Sequence, residues 1–397
     1  MNASALKNIS QDCWVNRALP AYDDAGRPNF MDPAGELIEG IYLDVPNEIY
    51  HSLDALSSSS LKKFAECPAK YYRQYISALS RNRTLQQTRT LDAGTYGHEL
   101  CLEPDGFYDR YFRDIVPADF PDALVTNDDI SKALSEAGQS TREGKKEKTN
   151  RIKRLLPNTD VKSLSTTSEM DILLEKHGFS KTETKLDKAH RLMESDPNAI
   201  VFDYLFEQNR LKNGSPTTVI EHDGTEVTLF GGKKPIDGIV WDDAHRVQQT
   251  VRAHAEANLH LSAGLPEVTI IARCPMTGMM LKSKFDWLKF NNDATDLKTT
   301  RSAHPADFRS QLFSLSYDLQ QVFYCYVASL AGINIQTFTF VAVEYLNADI
   351  CQPYQMPPNW VTKAQLKLSK MLSEFDWCKR TNKWYGYTKE DTTIIYQ

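Results

Sequence analysis

The chain has 397 residues, 41% of them hydrophobic and 25% charged, which is an ordinary globular composition in a chain long enough for a full core and a second small module. The formal net charge of −6 neither supports nor excludes a nucleic-acid partner, because contact with DNA needs only a local basic surface. No stretch approaches the roughly 20 apolar residues of a membrane helix, and the N-terminus lacks a signal-peptide pattern, so we expect a cytoplasmic protein without membrane contact.

The seven cysteines are scattered along the chain, and no two of them form a C-x-x-C pair. This spacing argues against a zinc ribbon, a disulfide framework and an iron–sulfur cluster, all of which need closely spaced or paired cysteines. We therefore expect reduced and mostly buried thiols.

The N-terminal part predicts an irregular lead-in followed by short elements. Residues 1–39 are rich in Asn, Asp, Pro and Gly without periodicity, which is typical of irregular structure. A strand is predicted in GIYLDVP at 40–46, and a serine-capped helix over 57–76 that is broken or kinked at Pro68. The first structured part of the fold is therefore predicted at 40–115.

Another helix is predicted over 90–103, in the sequence TLDAGTYGHELCLE. Gly94 and His98 are four positions apart and so share one face of this helix. His98 is a candidate functional residue on that face, and the alternative is a histidine satisfied within the core.

Residues 116–243 are polar and charged, and they predict a largely helical insertion in the fold. Within it, 125–157 predicts two short helices around a turn, and the stretch from Arg142 to Arg154 contains seven Lys or Arg against two Glu. This pattern resembles the SAP-like modules that contact the DNA backbone, and it is equally typical of a solvated basic helix. The candidate DNA-contacting residues are Lys145, Lys146, Arg151 and Arg154.

The core of the fold is predicted at 244–350, and 351–397 predicts a helix with an aromatic tail. Strands followed by an amphipathic helix and a further strand predict an α/β fold with a mixed central sheet flanked by helices. No internal repeat is predicted. The remaining predicted elements are helices at 185–207, 244–263, 308–332 and 361–380, and strands at 266–274, 280–290, 295–300 and 333–346.

The strand TDLKTT carries the residues with the most chemical potential. Its period-2 geometry places Asp296 and Lys298 on one face and turns Leu297 to the core. Asp286 lies in the neighbouring strand between large apolar residues, where an unpaired charge is costly. The two carboxylates could meet at one hard cation, with Lys298 acting on water or on transition-state charge. A surface ion pair is the alternative interpretation.

This acid–turn–D-x-K arrangement resembles that of the PD-(D/E)XK nucleases, and four further stretches are similar to their RecE-type exonucleases. The similarity covers roughly 40–115 and 266–345, about 40% of the chain, with the motifs in the family's order. The similar stretches are GIYLDVPNEIYH with SSSSLKKFAECPAKYY, the G-x-x-x-H helix of Gly94 and His98, KFD with DLKTT, and YDLQQVFY with Tyr317 and Gln320.

The resemblance implies a role for each matching residue. His98, Asp286 and Asp296 would be metal ligands, the backbone carbonyl of Leu297 would complete the metal shell, and Lys298 would be the catalytic lysine. The implied cofactor is Mg²⁺, with Mn²⁺ as a substitute.

Three further residues also match positions of the related enzymes. Glu267 occupies the place of an acidic residue in related enzymes, and the alternative is a solvent-facing strand residue. Tyr317 and Gln320 would contact DNA or the groups behind the metal ligands, and the alternative is that they pack the helix.

The family resemblance implies an enzyme that degrades double-stranded DNA ends, 5′ to 3′, and supplies single strands for recombination. It also implies a ring-like homo-oligomer and a RecT-type single-strand annealing partner. The alternatives are an endonuclease or nickase of the same superfamily, or a non-catalytic DNA-binding protein that retains the fold. The intact set of Asp286, Asp296 and Lys298 argues against the non-catalytic alternative.

Overall fold

The computed structural model describes residues 10–77, 92–161, 164–221, 224–345 and 349–387. No helix in this described part is long and apolar enough to cross a membrane. The segments outside the description are 1–9, 78–91, 162–163, 222–223, 346–348 and 388–397. Parts of several predictions lie in them, namely those of the lead-in, the helix at 90–103, the insertion, the last core strand and the tail.

The strands of the described chain are β1 Ala18–Pro20, β2 Gly40–Leu43, β3 Tyr111–Arg113, β4 Pro216–Ile220, β5 Glu226–Phe230, β6 Lys234–Ile236, β7 Gly264–Arg273, β8 Met280–Lys289, β9 Ala294–Thr300, β10 Phe338–Glu344 and β11 Cys351–Tyr354.

The α-helices of the described chain are α1 Asn47–Ser52, α2 Ser58–Glu66, α3 Pro68–Tyr71, α4 Asp92–Leu102, α5 Pro104–Arg110, α6 Asn127–Glu136, α7 Lys145–Leu155, α8 Thr167–Lys176, α9 Lys185–Ser195, α10 Phe202–Lys212, α11 Gly238–Ala253, α12 Ala255–His260, α13 Pro305–Ser314, α14 Tyr317–Leu330 and α15 Pro358–Thr381. Two 3₁₀ helices, Trp14–Arg17 and Pro117–Asp119, and one π-helix, Tyr72–Ile76, complete the helical elements.

The described chain divides into two compact units. The first comprises the described residues of 10–107 and 240–387, together with Gly224 and Thr225, and the second comprises Tyr108–Glu221 and Glu226–Ile239. The first unit contains the predicted central sheet, and the second overlaps the predicted insertion at 116–243.

The central sheet of the first unit has seven strands in the order β1-β2-β7-β8-β9-β10-β11. The β1–β2 and β9–β10 pairs are parallel, and the other four pairs are antiparallel. The prediction of a mixed sheet flanked by helices is confirmed.

Strand β10 explains why the centre of this sheet is covered on both faces. All seven of its residues are buried, and their side chains alternate between two apolar clusters. Phe340 and Ala342 pack in the large cluster with α14 and α15, whereas Val341 and Val343 pack in a second cluster with α4 and α11. A strand whose central residues, Phe340 to Val343, are apolar on both faces therefore lies between two helical layers.

The predicted irregular lead-in is wrong in one respect, because part of it belongs to the core. Residues Ala18–Pro20 form the edge strand β1, which pairs with β2. The indole of Trp14 is 1% exposed, and its Nε1–H donates to the carbonyl of Lys289 at 2.9 Å. The short apolar run from Cys13 to Val15 lies in a polar stretch and has no periodicity, so the sequence pattern did not reveal it.

The predicted continuous helix over 308–332 is also wrong, because the structure divides it into α13 and α14. Ser316 has φ 53° and ends the first helix in the left-handed conformation. No Gly or Pro lies at the break, so the sequence offers no local signal for it. The consequence is that α14 begins at Tyr317, which places Tyr317 and Gln320 in its first turn.

Two other predicted helices are each interrupted as well. The segment 185–207 contains the whole of α9 and the start of α10 on either side of Pro197, and 244–263 contains the end of α11 and the whole of α12, separated at His254. The polar stretch between these regions contains the antiparallel hairpin β4–β5.

The prediction of no internal repeat is wrong. Residues 126–157 and 166–197 align without a gap, and each forms a helix, a glycine turn and a second helix. The first helix of each copy begins with a threonine capping box. Each turn contains a glycine with positive φ, 71° at Gly138 and 78° at Gly178. The aligned identical pairs are Thr126/Thr166, Leu134/Leu174, Gly138/Gly178, Ser140/Ser180, Glu143/Glu183, Lys145/Lys185, Lys148/Lys188, Arg151/Arg191 and Pro157/Pro197.

Each helix of one repeat packs against a helix of the other repeat. Ile130 of α6 packs with Leu192 of α9, and Ile152 of α7 packs with Met170 of α8, so each helix of one repeat buries its apolar side against the other repeat. One repeat alone would leave both apolar faces uncovered. The duplication is therefore a structural requirement of this unit.

Two equivalent arginines tie the repeats together. The Arg151 guanidinium binds the Glu143 carboxylate through two hydrogen bonds of 2.5 and 2.9 Å and donates to the Ser180 carbonyl of the other repeat at 2.9 Å. Its counterpart Arg191 binds Glu183 at 2.7 and 2.9 Å and donates to the Ser140 carbonyl at 2.5 Å. Bidentate pairs of this kind are geometrically specific.

We expect Arg151→Ala to destabilise the unit by about 3–5 kcal/mol, because it breaks a buried ion pair and leaves the Glu143 carboxylate with the more distant Lys148, at 3.8 Å. Arg191→Ala should have a similar effect. Hydrogen–deuterium exchange of peptides from 126–195 in the full chain measures the loss. Arg142→Ala, at an exposed position, is the control and should change stability by at most about 0.5 kcal/mol. Equal protection in Arg151→Ala and Arg142→Ala would contradict the assignment.

Candidate active site

The candidate site lies where β8 and β9 stop pairing. Trp287 pairs with Thr295 and Leu288 pairs with Ala294, but the ladder does not continue to the next position. The Leu297 N–H instead donates to Oδ2 of Asp286 at 2.8 Å, and β9 remains paired with β10 along its whole length. The Asp286 carboxylate thus accepts the Leu297 N–H hydrogen bond that a carbonyl of the neighbouring strand would otherwise accept.

The facing strand β7 is also distorted at this point. Pro266 pairs with Trp287 and Val268 with Phe285, but Glu267 and Asp286 between them form no ladder pair. Glu267 has φ 53°, an uncommon conformation for a residue with a side chain and one that concentrates at functional sites.

The Glu267 carboxylate is held by a lysine that the sequence analysis did not single out. Lys284 Nζ lies 2.9 Å from Glu267 Oε2 and also donates to the Val45 carbonyl and to Oδ1 of Asn47. Burial raises the pKa of Glu267, and Lys284 opposes that rise. Glu267 is therefore not solvent-facing, and its carboxylate is paired with Lys284.

Helix α4 brings His98 to Asp286, with Nε2 of the imidazole 3.0 Å from Oδ2 of the carboxylate. The close approach of this helix to β9 requires Gly94, because a Cβ at that position would lie 2.9 Å from Oγ1 of Thr299. In the G-x-x-x-H pattern, Gly94 thus allows α4 to lie close to β9, and His98 on the same helix can then contact Asp286.

The other carboxylate, Asp296, is 1% exposed and lies in a polar cluster. Its Oδ1 accepts a hydrogen bond of 2.7 Å from Nε2 of Gln320, while its Oδ2 forms an ion pair with Lys298 and accepts no hydrogen bond of normal geometry among the described residues. The Lys298 ammonium lies 4.6 Å from the centre of the Tyr317 ring and 3.5 Å from Oε1 of Gln320. Tyr317 and Gln320 therefore contact the groups of the site directly.

The charges of the site are mutually dependent. Burial raises the pKa of Asp296 to about 6, an effect that Lys298 opposes. Burial would lower the pKa of Lys298, but Asp296 and Asp286 raise it above its ordinary value, so the ammonium stays charged. Burial would likewise raise the pKa of Asp286, but His98, Lys298 and the Leu297 N–H hold it below the ordinary value.

Among the described residues, no three side chains of His, Cys, Asp or Glu lie together in the arrangement of a metal site. The donor types nevertheless fit a hard divalent cation, since Asp286, Asp296 and the Leu297 carbonyl would supply oxygen ligands. The 3.0 Å between His98 and Asp286 is also about the edge of an octahedron with ligand distances of about 2.1 Å. The ligand atom of Asp296 would be its buried Oδ2, which has an ion pair with Lys298 but no hydrogen bond of normal geometry among the described residues.

Lys62 of α2 is a second residue of the site that the sequence analysis missed. Its ammonium donates to Oε1 of Gln320 at 3.0 Å and lies 5.2 Å from the centre of the Tyr317 ring. Burial and the neighbouring Lys298 lower the pKa of Lys62 to about 8. The available signal was its spacing four residues after the buried Ser58, which puts it on an inward side of α2.

The predicted DNA-contacting residues of the insertion belong to the second unit. Lys145 and Lys146 are exposed, and the Lys145 ammonium donates to the Ser165 carbonyl. Arg154 is half-buried in an ion pair with Asp187. Arg151 is buried, and its donors are used within the unit, so its guanidinium is not presented to a phosphate.

Part of the chain is similar to a known protein family, and the chain is similar to a solved structure. Residues 221–392 match the family described as "PDDEXK-like domain of unknown function (DUF3799)". A crystal structure from Eubacterium rectale, named "Putative exonuclease", is similar with 10% sequence identity and a TM-score of 0.32, covering 70% of this chain and 91% of that one. No curated protein matches the sequence. Of the site residues, Glu267, Asp286, Asp296, Lys298, Tyr317 and Gln320 lie within the matched segment.

Two adjacent glutamines of α14 test the cluster. Gln320→Leu removes the donor to buried Asp296, and we expect a loss of about 1–3 kcal/mol in the free energy of unfolding, measured by urea denaturation without metal. Gln321→Leu is the matched control, because Gln321 is equally buried but its Oε1 has no hydrogen-bond partner among the described residues. It should be neutral or stabilising. Equal losses from both substitutions would contradict the proposed bonding.

Proposed function

We propose that this protein is a metal-dependent nuclease that hydrolyses phosphodiester bonds of double-stranded DNA ends. The observation that carries the proposal is the convergence of Asp286, Asp296 and Lys298, with His98 and Gln320, where two strands of the matched PDDEXK-like segment separate. A purely structural ion pair would need neither a second buried carboxylate nor the open ladder.

The carboxylates would provide the cation site. Asp286, Asp296 and the Leu297 carbonyl would hold Mg²⁺ or Mn²⁺, with His98 beside them. Such an ion, when bound, supplies charge neutralisation at the phosphate and a more acidic bound water. The Leu297 N–H and His98 would keep Asp286 oriented, since both contact its Oδ2.

Lys298 would act as a positive charge. The two carboxylates raise its pKa, so at neutral pH the ammonium has no free electron pair with which to accept a proton from water. It would instead orient the attacking water or stabilise the negative charge that develops on the phosphoryl oxygens. Gln320 and the Tyr317 ring would hold the ammonium in place.

Finer properties belong to the same proposal through the family resemblance: 5′ to 3′ polarity, a ring-like homo-oligomer and delivery of single strands to an annealing partner. Product analysis distinguishes the exonuclease from an endonuclease or nickase. An exonuclease degrades linear duplex and leaves closed-circular DNA intact, whereas the other two enzymes cut the circle.

The second unit would contact the DNA backbone through its first repeat. Lys146 and Lys153 of α7 are exposed, and the aligned positions in the second repeat carry Leu186 and Met193. The two repeats thus have the same scaffold but different surface charge. This asymmetry favours phosphate contact at the first repeat.

Degradation of linear duplex tests the active site. Wild-type protein should cleave with Mg²⁺ or Mn²⁺ and should be inactive in EDTA, and Ca²⁺ should bind without supporting cleavage. Asp296→Ala should lose both metal binding and cleavage. Lys298→Ala should retain metal and DNA binding and lose about 10²–10³ in rate. A folded Lys298→Ala protein with wild-type cleavage, or wild-type activity in EDTA, would refute the proposal.

The salt dependence of duplex binding tests the second unit. Lys146→Gln with Lys153→Gln should reduce the slope of log K against log salt by about 0.9 for each lost phosphate contact. Lys176→Gln with Lys181→Gln, exposed in the second repeat, is the control with the same change in charge. Identical slopes in the two double variants would show that the basic helix α7 is a solvated surface that does not contact phosphates.

A further inference from the structure

A basic groove in the first unit adjoins the candidate active site. It has a volume of about 1200 Å³ and lies between α2, the π-helix Tyr72–Ile76, the break before α14, and α15. Five cationic side chains and one carboxylate line it, in a chain whose formal charge is −6. The lining cations are Lys62, Lys63, Lys70, Arg73 and Lys367.

The single carboxylate does not neutralise this groove. Glu66 is already paired with two of the cations, Lys63 at 2.7 Å and Lys70. Arg73 and Lys367 are exposed, and Lys367 has a distant ion pair of 3.9 Å with Asp318. The groove therefore has an excess of positive charge that a polyanion would complement.

The groove leads to the reacting groups through Lys62, which lines it and also donates to Gln320, the amide that binds Asp296. At the π-helix, Tyr75 also lines it and is 45% exposed. The Tyr75 ring stacks on Tyr71 at 5.0 Å and 24°, and Tyr71 stacks on Trp384 at 5.5 Å and 20°. Tyr75 is thus the most exposed of three stacked rings.

We propose that this groove binds single-stranded DNA, with Arg73 and Lys367 on its phosphates and a base stacked on Tyr75. A basic groove with an aromatic platform is the combination that recognises single strands without sequence preference. Inside a duplex the bases stack on one another, so an interior base must be unpaired before it can stack on this ring. Lys62 would take the phosphate nearest to Asp296. The proposal rests on the proposed nuclease function for its biological meaning, but binding itself requires no hydrolysis.

The experiment measures binding of a fluorescein-labelled 15-nucleotide oligothymidylate by anisotropy, in EDTA and over a range of salt. Arg73→Gln with Lys367→Gln should lower the slope of log K against log salt by about 0.7 for each of two phosphates. The matched control is Lys370→Gln with Lys383→Gln, which removes two exposed charges outside the groove. It should keep the wild-type slope.

Tyr75→Ala should weaken binding by about fivefold or more with an unchanged salt slope, because stacking releases no counterions. Tyr75→Phe should bind as wild type does. Binding of the groove double variant with the control's affinity and slope would overturn the proposal, as would equal binding by Tyr75→Ala and Tyr75→Phe.

The two proposals fail separately. If the protein degrades DNA in Mg²⁺ but its groove variants bind as the control does, the groove proposal is refuted and the nuclease proposal is supported. If the protein degrades no DNA but binds the oligothymidylate through Arg73, Lys367 and Tyr75, the nuclease proposal is refuted and the groove proposal is supported.

Discussion

Where β8 and β9 separate, the Leu297 N–H would have no acceptor if Asp286 did not provide one. A carboxylate drawn into the sheet in this way is costly unless cations surround it. His98 and Lys298 hold the pKa of Asp286 below its ordinary value, and Asp296 is compensated in turn by Lys298. The end of the β8–β9 pairing thus explains why charged side chains lie together beside Asp286.

The elements around the opening depart from regular structure in ways that bring these side chains together. Helix α4 lies close to β9 because Gly94 has no side chain, and the break at Ser316 starts α14 so that Gln320 faces Asp296. Glu267 has a left-handed backbone opposite Asp286. Such local departures from regular structure are costly to stability and persist where function requires them.

The second unit follows a different principle, in which duplication supplies the stability. Each repeat covers the apolar faces of the other, and equivalent arginines bind carbonyls across the contact. The capping threonines, the turn glycines and the arginine–glutamate pairs are the same in both repeats, whereas the exposed Lys146 aligns with the half-buried Leu186. Buried positions are constrained by packing, and exposed positions are available for binding.

The sequence by itself determined the mixed sheet with flanking helices, because alternation and helical spacing are local signals of burial. It also indicated Asp286, Asp296 and Lys298 as one group, since strand period and a short hairpin connect them. Only the tertiary structure decided the break at Ser316, the inclusion of Trp14 in the core and the arrival of Lys62 and Gln320 at Asp296. Those contacts join residues up to 275 positions apart, and no local pattern records which distant element will pack against a given strand.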